Sequence, residues 1–473
     1  MTADHILVID QGTYSTRAIV FDGQGHLLAS ARHPVALDAR SHTEIEQSPD
    51  EILDSVHSVT QAVLADPVVD IARIRAAGLA TQRSSVLAWD RVTGRPLSPV
   101  LSWQDRRTAA AIEGLAKHEA EVEAITGLHL SPHYGGGKLQ WLLREAAPVK
   151  KARATHRLLA GPLASYLVYH LLEGRPASID HANASRTLLW NLHTRDWDTR
   201  MLALFNIPRE ILPVCRPIVD HYGHLSQHAI PLRAVNGDQT AALYAQGLPP
   251  PDTLMVNIGT GAFVLMPVEN PRDRPDGLLA GISHSEADSA RYYLEGTVNG
   301  AAAAVRHVAD QFGAGDLKTL LPGWLDRIDD PTLFINTVGG LGAPWWKSGP
   351  PAYFLDPKVD AAGALVAVIE SIVFLLQANI ERLCRYNPAI RHLRISGGLS
   401  ILDGLCHRLA DLSGLVVQRP LQVEATARGV AWQAAGGPED WPPGGAEETF
   451  EPQENTALRA RYKRFIGILK KTL

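Results

Sequence analysis

Residues 5–30, HILVIDQGTYSTRAIVFDGQGHLLAS, decide the fold class of this 473-residue chain. HILVID is apolar and rich in β-branched residues, Gly12 interrupts it, RAIVFD is a second such run, and the turn Asp22-Gly23-Gln24-Gly25 leads into HLLAS. Short apolar β-formers bounded by glycine turns predict an antiparallel meander. A helix is predicted next: Ser48 can cap it, Pro49 suits its first position, and Glu51 completes a capping box ahead of ILDSVHSVTQAVL. The opening recurs at residues 253–269, TLMVNIGTGAFVLMPVE, where two apolar strands again flank a Gly-Thr turn. A repeat this long implies two domains built on one plan rather than a solenoid. The proline-rich stretch Gly247-Leu248-Pro249-Pro250-Pro251-Asp252 marks the boundary, which divides the chain into 1–248 and 249–473. Beyond it, LRIS, Gly397-Gly398, DGLCHRLADLSG, LVVQR and ATARGVAWQAA alternate strand and helix, so the class is α/β in two halves.

Composition narrows the function. The chain is 45% hydrophobic and 20% charged, which suits a globular protein that folds without crosslinks, and its length excludes a peptide hormone or a lone binding module. Lys and Arg number 45 against 50 Asp and Glu, a net charge of -5, so nucleic acid is a poor partner. Cys215, Cys384 and Cys406 lie far apart with no C-x-x-C pair, which argues for a reducing, cytoplasmic setting and against a thiolate metal site. The opening MTADHILVID has no basic segment and cleavage site of an export leader, and the expectation is a chain that is not exported. The apolar stretch 361–376 is interrupted by Glu370 and Ser371 and reads as a buried helix, too short and too polar to span a membrane. No stable membrane insertion is expected. Residues 436–450 read as loop, and the basic helix ending YKRFIGILKKTL reads as a docked terminal helix.

The chemistry-bearing clusters sit at strand ends, where α/β sites lie. DQGTYSTR, Asp10 to Arg17, places a carboxylate at a strand end and follows it with a hydroxyl-rich turn and a guanidinium. Such a turn can hold phosphate, and such a carboxylate can hold magnesium directly or through water. Taken alone it is also an ordinary hairpin turn, but Gly259-Thr260-Gly261 repeats it in the second half, as a nucleotide held by two related domains would require. Neither turn has the Walker lysine or the G-x-G-x-x-G pattern. Gly237-Asp238-Gln239 opens a helical run, so Asp238 is either a cap or a base for a substrate hydroxyl kept ionised by the helix dipole. Gln82-Arg83-Ser84 and Trp103-Gln104-Asp105-Arg106-Arg107 offer an aromatic face for polyol carbons and guanidinium for polyol oxygens. A core tryptophan and surface arginines are the plain alternatives.

The runs DQGTYSTR, QRSSVLAWDRVTGRPL, WQDRR, NASRTLLWNLHTRDWD, GDQTAALYAQG, GTGAFVLM, LEGTVNG, GLGAPWW and GGLS with ATARG occur in order over nearly the whole chain. Together they resemble the FGGY carbohydrate kinases, the glycerol kinase branch most closely. The resemblance implies two actin-like, ribonuclease-H-like domains flanking a cleft, a small polyol or sugar substrate held mainly by the first, ATP held mainly by the second, and magnesium. By matching position it implies that Thr13, Tyr14, Ser15 and Arg17 are the first phosphate contacts and Thr260 the second. Gly398 falls on the nucleotide-side glycine, Asp238 on the catalytic base and Asp10 on the metal-associated carboxylate. Arg83, Trp103, Gln239 and Phe263 fall on polyol contacts.

The chain also departs from the family. Where glycerol kinases carry a glutamate after the arginine, this chain has Ser84, and the family's glycerol-binding tyrosine aligns with His133, with Tyr134 beside it. A lost buried acceptor costs about 1–3 kcal/mol of recognition, enough to shift substrate preference. On the nucleotide side, family Gly, Gln and Asn positions are Ala302, Arg306 and Leu402, and an Asp position is Lys347. The readings this leaves are an ATP-dependent kinase of a small polyol or sugar with Asp238 as general base, glycerol kinase proper, and, in another class, a nucleotide-dependent scaffold ATPase or an inactive sugar-binding regulator. Gly237-Asp238-Gln239 with Arg83 and Trp103 discriminates them, because a scaffold needs no alcohol pocket. Homo-oligomer formation stays open.

Overall fold

The computed structural model describes residues 4–421 and 424–472. In the first half, β1 (His5–Gln11), β2 (Ser15–Phe21) and β3 (Leu27–Pro34) form the meander the glycine turns predict, with Asp10 opposite Arg17 in the β1–β2 register. β4 (Ile74–Thr81) joins β1 in parallel, β6 (Pro231–Gly237) joins β4 in parallel, and β5 (Val219–His224) closes the edge antiparallel to β6. The sheet order is β5-β6-β4-β1-β2-β3. Central position explains why β1 is buried along its whole length and reads as an unbroken apolar run. α1 (Pro49–Leu64) begins at Ser48, whose hydroxyl accepts from the Glu51 amide. The expected capping box is only half formed, because the Glu51 carboxylate accepts from the Ala36 amide instead. A small sheet adds Val86–Asp90 and Val100–Leu101, and α2 (Gly135–Glu145) and α3 (Asp238–Ala242) follow along the chain.

The second half repeats the plan. β7 (Thr253–Ile258) and β8 (Ala262–Val268) are an antiparallel hairpin; β9 (Leu279–Ser285) and β10 (Ala290–Val298) lie beyond β8; β11 (His392–Ser396) joins β7 in parallel, β12 (Val416–Pro420) joins β11 in parallel, and β13 (Glu447–Phe450) is antiparallel to β12. The order is β9-β10-β8-β7-β11-β12-β13. Strand for strand, β7, β8, β11, β12 and β13 match β1, β2, β4, β6 and β5 in neighbour and direction. β13 corrects the loop expected over 436–450: its four residues, EETF, have no side-chain alternation and are held by backbone pairing to an edge. α4 (Ala302–Phe312), α5 (Ala361–Tyr386) and α6 (Asp403–Ser413) pack in this half.

α5 is longer than the apolar stretch suggests. It runs 26 residues from a cap at Asp360 and is long and apolar enough to cross a membrane, yet it is largely buried in its own unit. Its buried Glu370 is neutralised by Arg461, which makes two bonds of 2.7 and 2.8 Å to the carboxylate. Arg461 lies on the C-terminal helix α8 (Thr456–Thr472), after α7 (Ala425–Ala434); α8 buries Leu458, Tyr462, Phe465 and Leu469 and keeps Lys470 and Lys471 in its last turn. Phe465 meets Phe374 of α5 at 5.3 Å between ring centroids. The basic helix is therefore docked by its apolar face.

Contacts divide the chain into two compact units that interleave along the sequence. One runs to Pro249 and includes Gly281–Tyr292 and Glu424–Gly444; the other takes Pro250–Ala280, the stretch from Tyr293 up to Glu424, and the chain from Gly445 on. Both inserted segments cross the linear division at 248/249, because spatial contact rather than chain order defines a unit. α7 packs on β1, β4 and β6 of the first unit. Its Gly429 permits this: a Cβ there would stand 1.8 Å from the Ala241 carbonyl of α3.

Candidate functional site

The β1–β2 turn is stiffened from both sides. Gly12 donates its amide to the Ser15 carbonyl at 3.0 Å, and the Gln47 side chain donates to the Thr13 carbonyl at 2.8 Å. A glutamine chain continues inward, with the Gln82 amide donating to Gln11 and Gln47 at 3.1 and 2.9 Å. The turn borders a cavity of about 330 Å³ lined by Asp10, Gly12, Thr13, Tyr14, Ser15, Arg17 and Arg32. Tyr14 is exposed and Asp10 almost fully buried. The Arg17 guanidinium bridges two carboxylates, Asp10 and Glu424, each at 2.5 Å. Burial pushes the Asp10 carboxyl up to about 6; Arg17 pulls against that shift, while Asp238 and Glu424 add to it through like charge. Asp10 therefore feels the like charge of both Asp238 and Glu424 while it is paired with Arg17.

Asp238 opens α3, as the sequence predicts, after Gly237. Its carboxylate accepts from the Gln239 amide at 2.7 Å and lies 3.9 Å from Arg83 Nε. The helix dipole does not set its charge as expected. α3 has only five residues, and burial raises the Asp238 carboxyl above the ordinary range, with Arg83 the main opposing influence. Arg83 also bonds the Gln239 side chain, so Arg83, Asp238 and Gln239 are one connected group. The sequence placed Arg83 and Asp238 in separate motifs; β4 and β6, adjacent and parallel, end beside each other and bring them together.

Trp103 is the link to the phosphate turn. Its indole donates to the Thr13 hydroxyl at 3.0 Å, and its amide donates to Ser85 Oγ at 2.9 Å. Ser84 has a left-handed backbone at φ 64 and is buried. His133 Nδ1 lies 3.1 Å from the Trp103 carbonyl, which can only accept, so Nδ1 carries the proton and Nε2 is an acceptor. His133 is exposed as a residue, but desolvation around its ring, aided by the nearby Lys138 charge, lowers it to about 4 and favours the neutral form. Tyr134 caps α2, and the Arg186 guanidinium lies 6.0 Å from its ring centroid. Arg186 also lowers the Asp238 carboxyl.

In the second unit the β7–β8 turn exposes Thr260, and the carbonyls of Gly259 and Thr260 accept from Ala301, Ala302 and Ala303 at the start of α4 at 3.1–3.2 Å. Arg306 is exposed one turn further on. Gly398 is exposed with open space where a Cβ would stand, and Gly397 before it is at φ 96, where a Cβ would be 2.6 Å from the Ile258 carbonyl. Leu402 is buried at the start of α6, so its side chain packs inward. Phe263 is half-buried on β8 opposite Asn257.

Sequence reasoning missed Arg32, Glu424 and Lys138. Arg32 is detectable once β2–β3 is read as a hairpin, since it stands opposite Arg17. Glu424 directly precedes the ATARG run, but its partner Arg17 is 407 residues away. Buried Lys138 has no local signal beyond its place in GGGKLQW.

Comparison with known proteins gives the family. Residues 5–241 match the N-terminal domain model of the FGGY family of carbohydrate kinases and residues 254–436 the C-terminal domain model. Glycerol kinases of Rippkaea orientalis and Leptothrix cholodnii are 32% and 33% identical to the chain over 446 and 456 residues, covering 91% of it in each case and 89% and 90% of the relatives. Among solved structures, Plasmodium falciparum glycerol kinase with ADP superposes with a TM-score of 0.87 at 23% identity, covering 100% of this chain and 98% of that one. A xylulose kinase from Rhodospirillum rubrum gives 0.83 at 18%, covering 99% and 98%. The fold is the two-domain actin-like, ribonuclease-H-like one. With both domain models matched in order and a charged turn, strand-end carboxylates and an arginine-paired aspartate in one unit, the chain belongs to the FGGY family of carbohydrate kinases and is a phosphotransferase.

Proposed function

We propose that the protein transfers the γ-phosphoryl group of ATP to a hydroxyl of a small polyol or sugar, with Asp238 as general base. The observation that carries this reading is the group Arg83–Asp238–Gln239 in the same unit as the Asp10–Arg17–Glu424 centre, whose carboxylates influence one another. An alcohol oxygen attacks phosphorus as its proton leaves. Asp238, whose carboxyl burial raises and Arg83 restrains, takes that proton at a carboxylate oxygen. The new O–P bond forms as the bond to ADP breaks. Arg83 and Gln239 orient the acceptor, and Trp103 offers a face to its carbons.

Thr13, Tyr14, Ser15 and Arg17, joined by Arg32, hold phosphate in the first unit; Thr260 and Gly398, with Ala302, Arg306 and Leu402 around them, belong to the nucleotide side in the second. Asp10, a buried strand-end carboxylate whose proton affinity is raised by burial and by the like charges of Asp238 and Glu424, fits as a hard oxygen donor toward a divalent cation. Asp10 would hold magnesium through water, and the ion would neutralise phosphate charge. The free cysteines support a cytoplasmic setting.

Glycerol is the second reading, favoured by the glycerol kinase relatives. Ser84 removes a carboxylate acceptor, whereas His133, with Nδ1 on the Trp103 carbonyl, keeps Nε2 as an acceptor. The test is ADP release with magnesium and ATP against glycerol, four- and five-carbon polyols, ketopentoses and ketohexoses, beside a control without acceptor. Turnover that depends on one acceptor supports the kinase reading and names the substrate; hydrolysis that ignores every acceptor sinks it.

A further inference from the structure

Lys138 is fully buried on α2, and the hydrogen bonds of its ammonium go to main-chain carbonyls: Ser84 at 3.2 Å, Ser102 at 2.7 Å and His133 at 2.8 Å. An ammonium has three hydrogens, so donors and acceptors match one for one. Burial lowers the Lys138 ammonium to about 7, and Asp105, the carboxylate that opposes this shift, is itself engaged by Arg107 and by the Ile45 amide. Burying an ammonium without a bonded counter-ion is costly, and a methionine would fill the same volume in a merely packed core.

The three carbonyls are not arbitrary. Ser84 follows Arg83, Ser102 precedes Trp103, and His133 is itself in the cluster and precedes Tyr134. These segments come from the turn after β4, from the end of Val100–Leu101, and from the loop before α2. The Val86–Leu101 pairing brings the first two near each other, and the His133–Trp103 bond brings the third. Lys138 Nζ is the single atom bonded to all three.

We propose that Lys138 is a positioning residue for the phosphoryl acceptor: by gathering the carbonyls of Ser84, Ser102 and His133 on one nitrogen it sets the spacing of Arg83, Trp103 and His133 without touching the acceptor. The inference rests on the proposed reading of those three residues as acceptor contacts. A shift on the order of 1 Å in positioning groups can cost a hundredfold in productive binding. The hydrogen bonds of Lys138 itself stop at these three segments, and the phosphate turn is reached only at one remove, through the Trp103–Thr13 bond, so the larger effect falls on the acceptor.

The experiment compares wild type, Lys138→Met, Lys138→Gln and Arg83→Ala by acceptor-dependent ADP release, with ATP-dependent thermal protection as the check on folding. Lys138→Met should raise the acceptor KM about 10- to 100-fold, with kcat changed less than about threefold and the ATP KM, reached only through the Trp103–Thr13 bond, raised no more than about threefold. Lys138→Gln, which keeps two of the donors, should fall between wild type and Lys138→Met. An unchanged acceptor KM in Lys138→Met, or acceptor and ATP KM rising by the same factor, overturns the positioning role. Loss of ATP-protected folding in both variants also overturns it, because the lysine would then determine the fold and not the pocket. Arg83→Ala separates the two ideas: if it leaves the acceptor KM unchanged while wild type turns over, the acceptor-site reading itself fails.

Discussion

The hairpins that open the two halves occupy the same place in sheets of matching order, yet only one of them is charged. In the first, Asp10 faces Arg17 across β1 and β2. In the second, Asn257 faces Phe263 across β7 and β8, and the Asn257 amide donates to Ser396 at 3.0 Å. Both turns supply Gly-Thr backbone geometry. Only the first adds a buried carboxylate, a guanidinium shared with Glu424 and, opposite it on β3, Arg32. Duplication of a fold thus repeats a phosphate-sized turn, while chemistry needs charge that the repeat does not copy. A second ion pair would cost desolvation again with no reaction for it to serve.

The largest effect that could break this contrast lies at Asp238. Asp238→Asn should lower kcat by about 10²- to 10⁴-fold with ATP affinity nearly intact, measured by turnover alongside nucleotide titration; retained turnover would remove Asp238 from the base role and leave the first unit's charges without a partner in catalysis. Next comes a matched pair at the hairpins. Asp10→Asn should reduce kcat/KM for magnesium-ATP by about a hundredfold, the scale of one transition-state contact, whereas Asn257→Ala should cost about 1 kcal/mol of stability for a lost hydrogen bond and leave kcat within a few-fold. Equal losses at both positions would mean that the halves share the chemistry.

A third expectation is pH-dependent. With the Asp10 carboxyl near 6, kcat/KM for magnesium-ATP should fall as pH drops through about 6, because the protonated form neither pairs with Arg17 nor attracts a cation. Its effect on folding has the opposite sense. The folded value is raised from 3.8 to about 6, so the stability it contributes is fully present below 3.8 and lost as pH rises through 6. Melting curves from pH 5 to 7, compared with Asp10→Asn, isolate that small term. The smallest effect is expected at Arg32→Ala, which removes one exposed cation from the cavity rim: a rise of about two- to fivefold in the ATP KM, as befits a solvent-exposed charge contact, and no change in acceptor KM.

These contrasts follow the line between what local pattern encodes and what it does not. HILVID, RAIVFD, TLMVNI and AFVLM announce strands because apolar β-formers between glycines have few other ways to bury their side chains. Asp238 at a helix start and Asp10 at a strand end are legible for the same reason, as are the ordered motifs that identify the family. The edge strand β13 escaped because EETF has no burial pattern, and the extra length of α5 escaped because its last turns carry charge among the apolar residues. Glu424 escaped for a stronger reason. Its ion pair joins positions at opposite ends of the chain, and no periodicity spans that distance.

The sequence by itself determined the class, the repeated plan and the family, and it named the groups proposed to react, since each depends on residue type and short-range spacing. Tertiary structure alone decided which groups meet. Parallel pairing of β4 with β6 joined Arg83 to Asp238, and the seating of α7 brought Glu424 to Arg17. Burial at those meetings then raised the carboxylates of Asp10 and Asp238. Lys138 is the extreme case: nothing near it in sequence asks for a cation, and its role exists only where the distant carbonyls of Ser84 and Ser102 join that of nearby His133 within reach of one nitrogen.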